Sequence, residues 1–209
     1  MTENITVNTQ SSIRIDTGDL IIRADPFGLT EELHDADIIL ITHEHFDHFS
    51  PDDIVRVSKP DTVFAAPESM RKKLAGMQTG ETVFLRPGDK TEIRGIPVEA
   101  VAAYNIMKPF HAKPNGWLGY IVTVGGKRIY AAGDTDATKE AKAVRCDIAL
   151  VPVGGTYTMN AREAAALVNE IQPGVAIPIH YGSIVGSRAD GEKFAGLVDG
   201  NIKVEMKLF

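Results

Sequence analysis

The chain has 209 residues, enough for one full domain or two small ones. Its 44% hydrophobic and 24% charged content is ordinary for a soluble globular protein. A net charge of −6 disfavours a broad nucleic-acid surface, which needs a basic patch, but leaves room for a small anionic ligand. No segment reaches the length of a membrane span, and the start, Met-Thr-Glu-Asn-Ile-Thr-Val, lacks the basic and apolar regions of a signal peptide, so a cytoplasmic location is expected.

Along the chain, strands are predicted around Ile5–Val7, Ser12–Ile15 and Leu20–Ala24, the last ending at Asp25-Pro26-Phe27. Ala36–Thr42 is apolar and β-branched and reads as a buried strand. A ligand-rich run, His43-Glu-His-Phe-Asp-His48, follows it directly. Ser50-Pro51-Asp52-Asp53 then carries helix-start chemistry: a Ser cap, Pro at the first helical position and acids in the first turn. That helix is predicted to reach Ser58. A strand at Thr62–Ala66, a short helix at Glu68–Leu74, and strands at Thr82–Leu85, Thr91–Ile93 and Pro97–Tyr104 come next. Strands at Leu118–Val124 and Arg128–Ala132 are joined by the two-residue hairpin signal Gly125-Gly126.

The last third alternates strand and helix. Asp147–Val151 is a strand, preceded by the lone Cys146, which is read as a buried structural thiol. Asn160-Ala-Arg-Glu163 resembles a capping box, and Ala161, Ala164, Val168 and Ile171 keep helical spacing up to Pro173. A strand at Val175–Pro178, a helix at Gly191–Val198 and a closing strand at Ile202–Leu208 complete the reading. Many strands with few helices, and no linker composition, predict one unit of two packed sheets with helices outside, spanning residues 1–209.

His43, His45, Asp47 and His48 place four metal-ligand side chains in six residues at a strand end, where α/β proteins put sites. Three of the six histidines in the chain fall there, and an unpaired buried carboxylate would be costly, so a metal is expected. Three further candidates border predicted strands: Asp134 in Gly133-Asp134-Thr135, His180 in Ile179-His180-Tyr181-Gly182, and His111 in a polar loop. None is specific alone: Asp134 by itself reads better as a turn Asp, His180 also reads as a core His, and His111, the weakest of the three, as a loop His.

Taken in order, these motifs resemble the metallo-β-lactamase fold superfamily over essentially the whole chain. Its texture is similar to the small metal-dependent hydrolases near the ascorbate-phosphate lactonase and ribonuclease Z groups. The resemblance implies an α+β fold, a four-layer αββα sandwich of two mixed sheets flanked by helices. It implies two divalent ions, zinc first, with manganese, iron or nickel as alternatives. One would be held by His43, His45 and His111, the other by Asp47, His48 and His180, with Asp134 bridging. The family's third motif is a His at the end of the strand before the hairpin, but here that strand ends Ala103-Tyr104-Asn105. Either His111 loops back to coordinate or Asn105 takes the ligand place; the set adopted takes His111.

The implied activity is hydrolysis by a metal-bridging hydroxide, with Asp47 and Asp134 catalytic, on a small anionic ester, lactone or phosphorylated metabolite. Tyr104, Lys108, Lys113, Tyr157, Arg162, Tyr181 and Arg188 are the candidates for gripping it. A phosphodiesterase or nuclease, and a non-catalytic metal-binding protein of the same fold, are the competing readings. His45 stands where di-iron oxygenases of this superfamily carry an acid, which argues against oxygen chemistry. The partner expected is a small-molecule substrate, with no membrane; nucleic acid is disfavoured and a homo-oligomer is left open.

Overall fold

The computed structural model describes residues 2–77 and 80–208. Two mixed sheets face each other. The first runs in strand order β1 (Ile5–Val7), β2 (Ile13–Asp16), β3 (Ile21–Ala24), β4 (Ala36–Leu40), β5 (Ser58–Pro67) and β6 (Thr82–Leu85). Its first three strands are antiparallel, and β3 to β6 are parallel. The second sheet holds β7 (Lys90–Ile93), β8 (Ile96–Ala102), β9 (Leu118–Val124), β10 (Lys127–Ala131), β11 (Ile148–Pro152), β12 (Val175–Ile179) and β13 (Lys203–Val204), in spatial order 13-12-11-10-9-8-7. Here β7 to β10 are antiparallel and β10 to β13 parallel.

Helices cover both outer faces, giving the four αββα layers. Strand β4 makes the layering plain, because it is buried on both sides. Ile38 and Leu40 join the core between the sheets, whereas Ile39 and Ile41 pack outward on Ile54 and Val57 of α1 (Pro51–Val57) and Leu74 of α2 (Arg71–Leu74). On the other face, α4 (Ala161–Ile171) buries Ala161, Ala164, Leu167, Val168 and Ile171, and it touches α3 (Lys139–Lys142) and α5 (Arg188–Ala195). No helix among the described residues is long and apolar enough to cross a membrane.

Local chemistry sets several boundaries as expected. Ser50 caps α1 through Asp53 N, Asn160 and Glu163 form the reciprocal capping box of α4, and Gly125 and Gly126 turn the hairpin with φ of 55° and 73°. Other boundaries differ from the sequence reading. The closing strand shrinks from Ile202–Leu208 to two residues, since its neighbour β12 carries Pro178, which has no N–H to extend the ladder. The fifth helix starts earlier than Gly191, at Arg188, because Ser187 and Asp190 form a capping box that the apolar spacing does not reveal. Strand β8 stops at Ala102 rather than Tyr104, and β5 begins at Ser58, straight after α1. The third helix, short and charged, is held by Thr138, whose hydroxyl accepts from Ala141 N; the sequence reading had no element there.

The metal-type side chains follow the carboxyl ends of β4, β10 and β12, joined by His111 from the loop between β8 and β9. Hydrogen bonds clamp the two sheets at that edge: Leu118 N to Thr42 O at 3.1 Å, Tyr120 hydroxyl to Ile41 O at 2.7 Å, and His180 N to Gln10 O at 2.8 Å.

Candidate metal centre

Beyond β4, residues 43–48 turn tightly back, with His48 N and Phe49 N both donating to His45 O. His43, Asp47 and His48 are buried and His45 is half-buried. Beyond β10, Gly133 adopts φ 64°, and a Cβ there would sit 2.7 Å from Leu118 O; only glycine makes this approach, and it sets the carboxylate of Asp134 between the two sheets. Beyond β12, His180 itself takes the left-handed conformation at φ 58°, uncommon for a non-glycine. His111 arrives on the loop between β8 and β9.

Three groups of ligand atoms result: His43, His45 and His111; His43, His48 and Asp134; Asp47, His48 and His180, the atoms of each lying within 4.8 Å of one another. Asp134 touches both histidine sets. Its Oδ2 is 3.2 Å from His111 Nε2, 3.3 Å from His180 Nε2 and 3.9 Å from His43 Nε2, and its Oδ1 is 3.2 Å from His48 Nε2. Asp47 Oδ2 lies 3.3 Å from His180 Nε2 and 3.6 Å from His48 Nε2.

These atoms approach without satisfying each other. Among the described residues, His48 Nε2, His111 Nε2, His180 Nε2 and Asp134 Oδ1 are buried with no aligned hydrogen-bond partner. One such group costs about 1–3 kcal/mol. Four converging on one spot fit a cation, and imidazole and carboxylate donors fit a divalent ion of the zinc type. The electrostatics agree. Burial pulls His43 well below the ordinary imidazole value, and the neighbouring His48 adds to this. Burial also opposes charge on Asp134, but His180 and His48 outweigh it and hold the carboxyl well below the usual range.

Buried partners orient the rings. Asp25, φ 45°, accepts from Thr42 N at 2.8 Å, Thr42 Oγ1 at 2.6 Å and His48 Nδ1 at 2.7 Å. That contact leaves His48 Nε2 free to ligate, the arrangement that fixes a metal-binding tautomer. Asn105 Oδ1 accepts from His111 N at 3.1 Å and lies 3.0 Å from His111 Nδ1, so Nε2 faces the cluster. The two residues that the sequence offered as rivals thus sit together, His111 in the cluster and Asn105 behind it. Gln10 Nε2 donates to Asp47 Oδ2 at 3.4 Å. Trp117 packs its ring 4.8–5.4 Å from the rings of His43, His45 and His111. Asp25 was read in the sequence only as part of the Asp25-Pro26-Phe27 that ends a strand, and no signal marked Gln10, which is 37 residues from Asp47.

A cavity of about 240 Å³ opens over this floor. His45, Asp47, His111, Asp134 and His180 line its base, and Phe46, Phe110, Tyr157 and Ile184 line the remainder. Of the seven candidates for gripping a substrate, only Tyr157 lines it. Lys108 instead pairs with Asp136 at 2.6 Å and donates to Thr158 O, tying down the loop that carries His111. Lys113 pairs with Glu140 and Tyr104, Arg188 with Glu192, and the Tyr181 hydroxyl is turned to Leu208 O.

The model of the beta-lactamase superfamily domain matches residues 4–180. A metal-dependent hydrolase of the UPF0173 group from Thermoplasma acidophilum is 35% identical over 171 residues, 80% of this chain and 75% of its own length. A solved structure from Parabacteroides distasonis, provisionally named a metal-dependent hydrolase, is 35% identical with a TM-score of 0.82, covering 98% of this chain and 93% of that one. Igni18, a metallo hydrolase from Ignicoccus hospitalis, shares the fold at 23% identity and a TM-score of 0.79, over 97% of this chain and 93% of that one.

Proposed function

Because the chain belongs to the beta-lactamase superfamily and is a metal-dependent hydrolase of metallo-β-lactamase fold, we propose that it hydrolyses a small carbonyl ester or lactone at a two-metal centre. In this reading His43, His45 and His111 hold one ion, Asp47, His48 and His180 the other, and Asp134 is shared. The observation that carries the proposal is the convergence of partnerless buried nitrogens on Asp134, which contacts both histidine sets. Two divalent ions in such a site supply activation of a water at neutral pH and polarisation of the reacting carbonyl.

The chain's own residues do the rest. Asp25 and Asn105 lock the rings of His48 and His111, so the donor atoms are positioned before substrate arrives. Asp47 lines the cavity. Burial raises its carboxyl, but the neighbouring imidazoles of His180 and His48 pull it below the ordinary value, so it is ionised near neutrality. Asp47 therefore orients the attacking water and accepts its proton as the oxygen bonds to the carbonyl carbon; that proton then goes to the leaving alkoxide.

Away from the metal floor, a phosphoryl or other anionic handle meets no Lys or Arg among the described lining residues. Both nearby lysines are engaged elsewhere. The ester or lactone is therefore kept and the phosphorylated metabolite is not. The test is a panel of aryl esters and lactones assayed after chelator treatment and after adding back zinc or manganese. Turnover that vanishes with chelator and returns with about two ions per chain is expected. Protein that takes up no metal, or turnover indifferent to chelator, defeats the reading.

A further inference from the structure

The wall of the cavity has a character that the metal floor does not explain. Phe46, Phe110, Tyr157 and Ile184 all line it, and all remain exposed, at 65%, 42%, 36% and 40%. Large apolar side chains left in water singly are common, but four gathered around one concave site are characteristic of a ligand contact. The three aromatic rings are also held in place. Phe46 meets Phe27 edge-on at 5.9 Å, and Phe110 meets Tyr157 edge-on at 4.7 Å. The loop bearing Phe110 is pinned at its base by Asn105 Nδ2 to Tyr157 O at 2.9 Å and by the Lys108–Asp136 pair. A rigid aromatic wall loses little entropy on binding.

Building on the hydrolase reading, we infer that the substrate carries an uncharged apolar group, one aryl ring or a short alkyl chain. This group seats against Phe46, Phe110, Tyr157 and Ile184 while its reacting carbonyl lies over the metal floor. Two observations set this class. No described lining residue is Lys or Arg, so an anionic tail would be desolvated without a partner. The volume, about 240 Å³, lies below the roughly 300–1,000 Å³ of pockets that take drug-sized ligands, so it has room for one ring rather than several.

The experiment separates head from tail. Acetohydroxamate, butyrohydroxamate, benzohydroxamate and succinic monohydroxamate share one metal-chelating head and differ in the tail. Their affinities for the full-length, zinc-loaded protein are measured by calorimetry, which needs no turnover. Each buried methylene tightens binding about fourfold, so butyrohydroxamate should bind about fifteenfold more tightly than acetohydroxamate. Benzohydroxamate should bind at least as tightly, and the anionic succinic tail should bring no gain. Phe46→Ser and Phe110→Ser, both at exposed positions, should flatten the series with metal content unchanged. Hydroxamates that bind with equal affinity, or a succinic tail that binds best, would overturn the apolar class while leaving the metal centre standing. Protein that cannot be loaded with zinc would remove the metal centre and this inference with it, and loaded protein that binds no hydroxamate would remove the inference alone. Equal affinities together with a dimer lost in Phe46→Ser would reassign the wall to self-association.

Discussion

Asp25→Asn isolates the link between a buried carboxylate and the metal. In the wild type, Asp25 accepts three hydrogen bonds, from Thr42 N, Thr42 Oγ1 and His48 Nδ1. Asparagine keeps one acceptor for Thr42 N but presents an NH₂ to the other two. The Thr42 hydroxyl can rotate to accept; His48 Nδ1 accepts only by moving its proton to Nε2, the atom that must face the metal. Loss of such an orienting partner typically costs about 10–100-fold in metal affinity, about 1.4–2.7 kcal/mol. The metal-free protein should change far less, because burial already pushes the Asp25 carboxyl up and a neutral amide avoids that burden. With unfolding entropy near 2.1 cal/mol/K per residue over 209 residues, the thermal gain on adding zinc should shrink by about 3–6 °C. The assay pairs melting with and without zinc with chelator competition, read by fluorescence of Trp117, the chain's single tryptophan, whose ring packs against three of the histidines. Wild-type zinc affinity in folded Asp25→Asn, or equal losses with and without zinc, would refute the tautomer argument.

Asp134→Asn should leave the strand core folded by circular dichroism yet cut hydrolysis by more than about 100-fold, beyond the cost of an orienting residue, because a neutral amide cannot serve both histidine sets as an anion; near wild-type turnover would make Asp134 a turn residue only. Cys146, its thiol pushed up by burial from 9.0 to about 12, should resist alkylation at pH 8 until denaturant exposes it. Fast alkylation of folded protein would contradict that placement. Glu205 is opposed by burial but pulled from 4.5 down to about 2 by hydrogen bonds from Lys203, Thr2 and Lys207. A carboxyl lowered on folding stabilises above its unfolded value and loses that contribution as pH falls through the folded one. The stability deficit of Glu205→Gln should therefore be full above pH 4.5 and fade towards pH 2; a pH-independent deficit in urea melts would show that its charge is not the cause.

Much of the fold was legible because its signals are local. The helix caps at Ser50 and Asn160, the Gly125-Gly126 turn and the continuous apolar run of β4 each specify a boundary within a few residues. The two packed sheets followed from many strands with few helices, and the four layers with the ligands at one edge from the resemblance that the ordered motifs carry. What escaped depends on pairings across the chain. The end of β13 is set by Pro178 on a neighbouring strand. Asp25 meets His48 across 23 residues and Gln10 meets Asp47 across 37, with no periodicity to announce either. Lys108 looked like a substrate cation until its partner Asp136, 28 residues on, came into view.

The loop from Asn105 to His111 shows how a departure from a motif can be a redistribution rather than a loss. A histidine at the strand end would reach the site from a fixed strand and need no further support. Here an amide, Asn105, stands just beyond the end of β8, and the histidine arrives six residues later on a loop with no regular backbone pairing of its own. That geometry is affordable only because the loop is closed on itself: Asn105 N donates to His111 O at 2.7 Å, and His111 N returns to Asn105 Oδ1. Asp136 then receives Ile106 N and Lys108 Nζ, fixing the loop to the strand end that delivers Asp134. The same closure projects Phe110 onto the cavity wall beside Tyr157, whose carbonyl Asn105 also holds. Positioning of the ligand candidate and shaping of the apolar wall are therefore one structural event, and a change at Asn105 should disturb metal affinity and tail preference together.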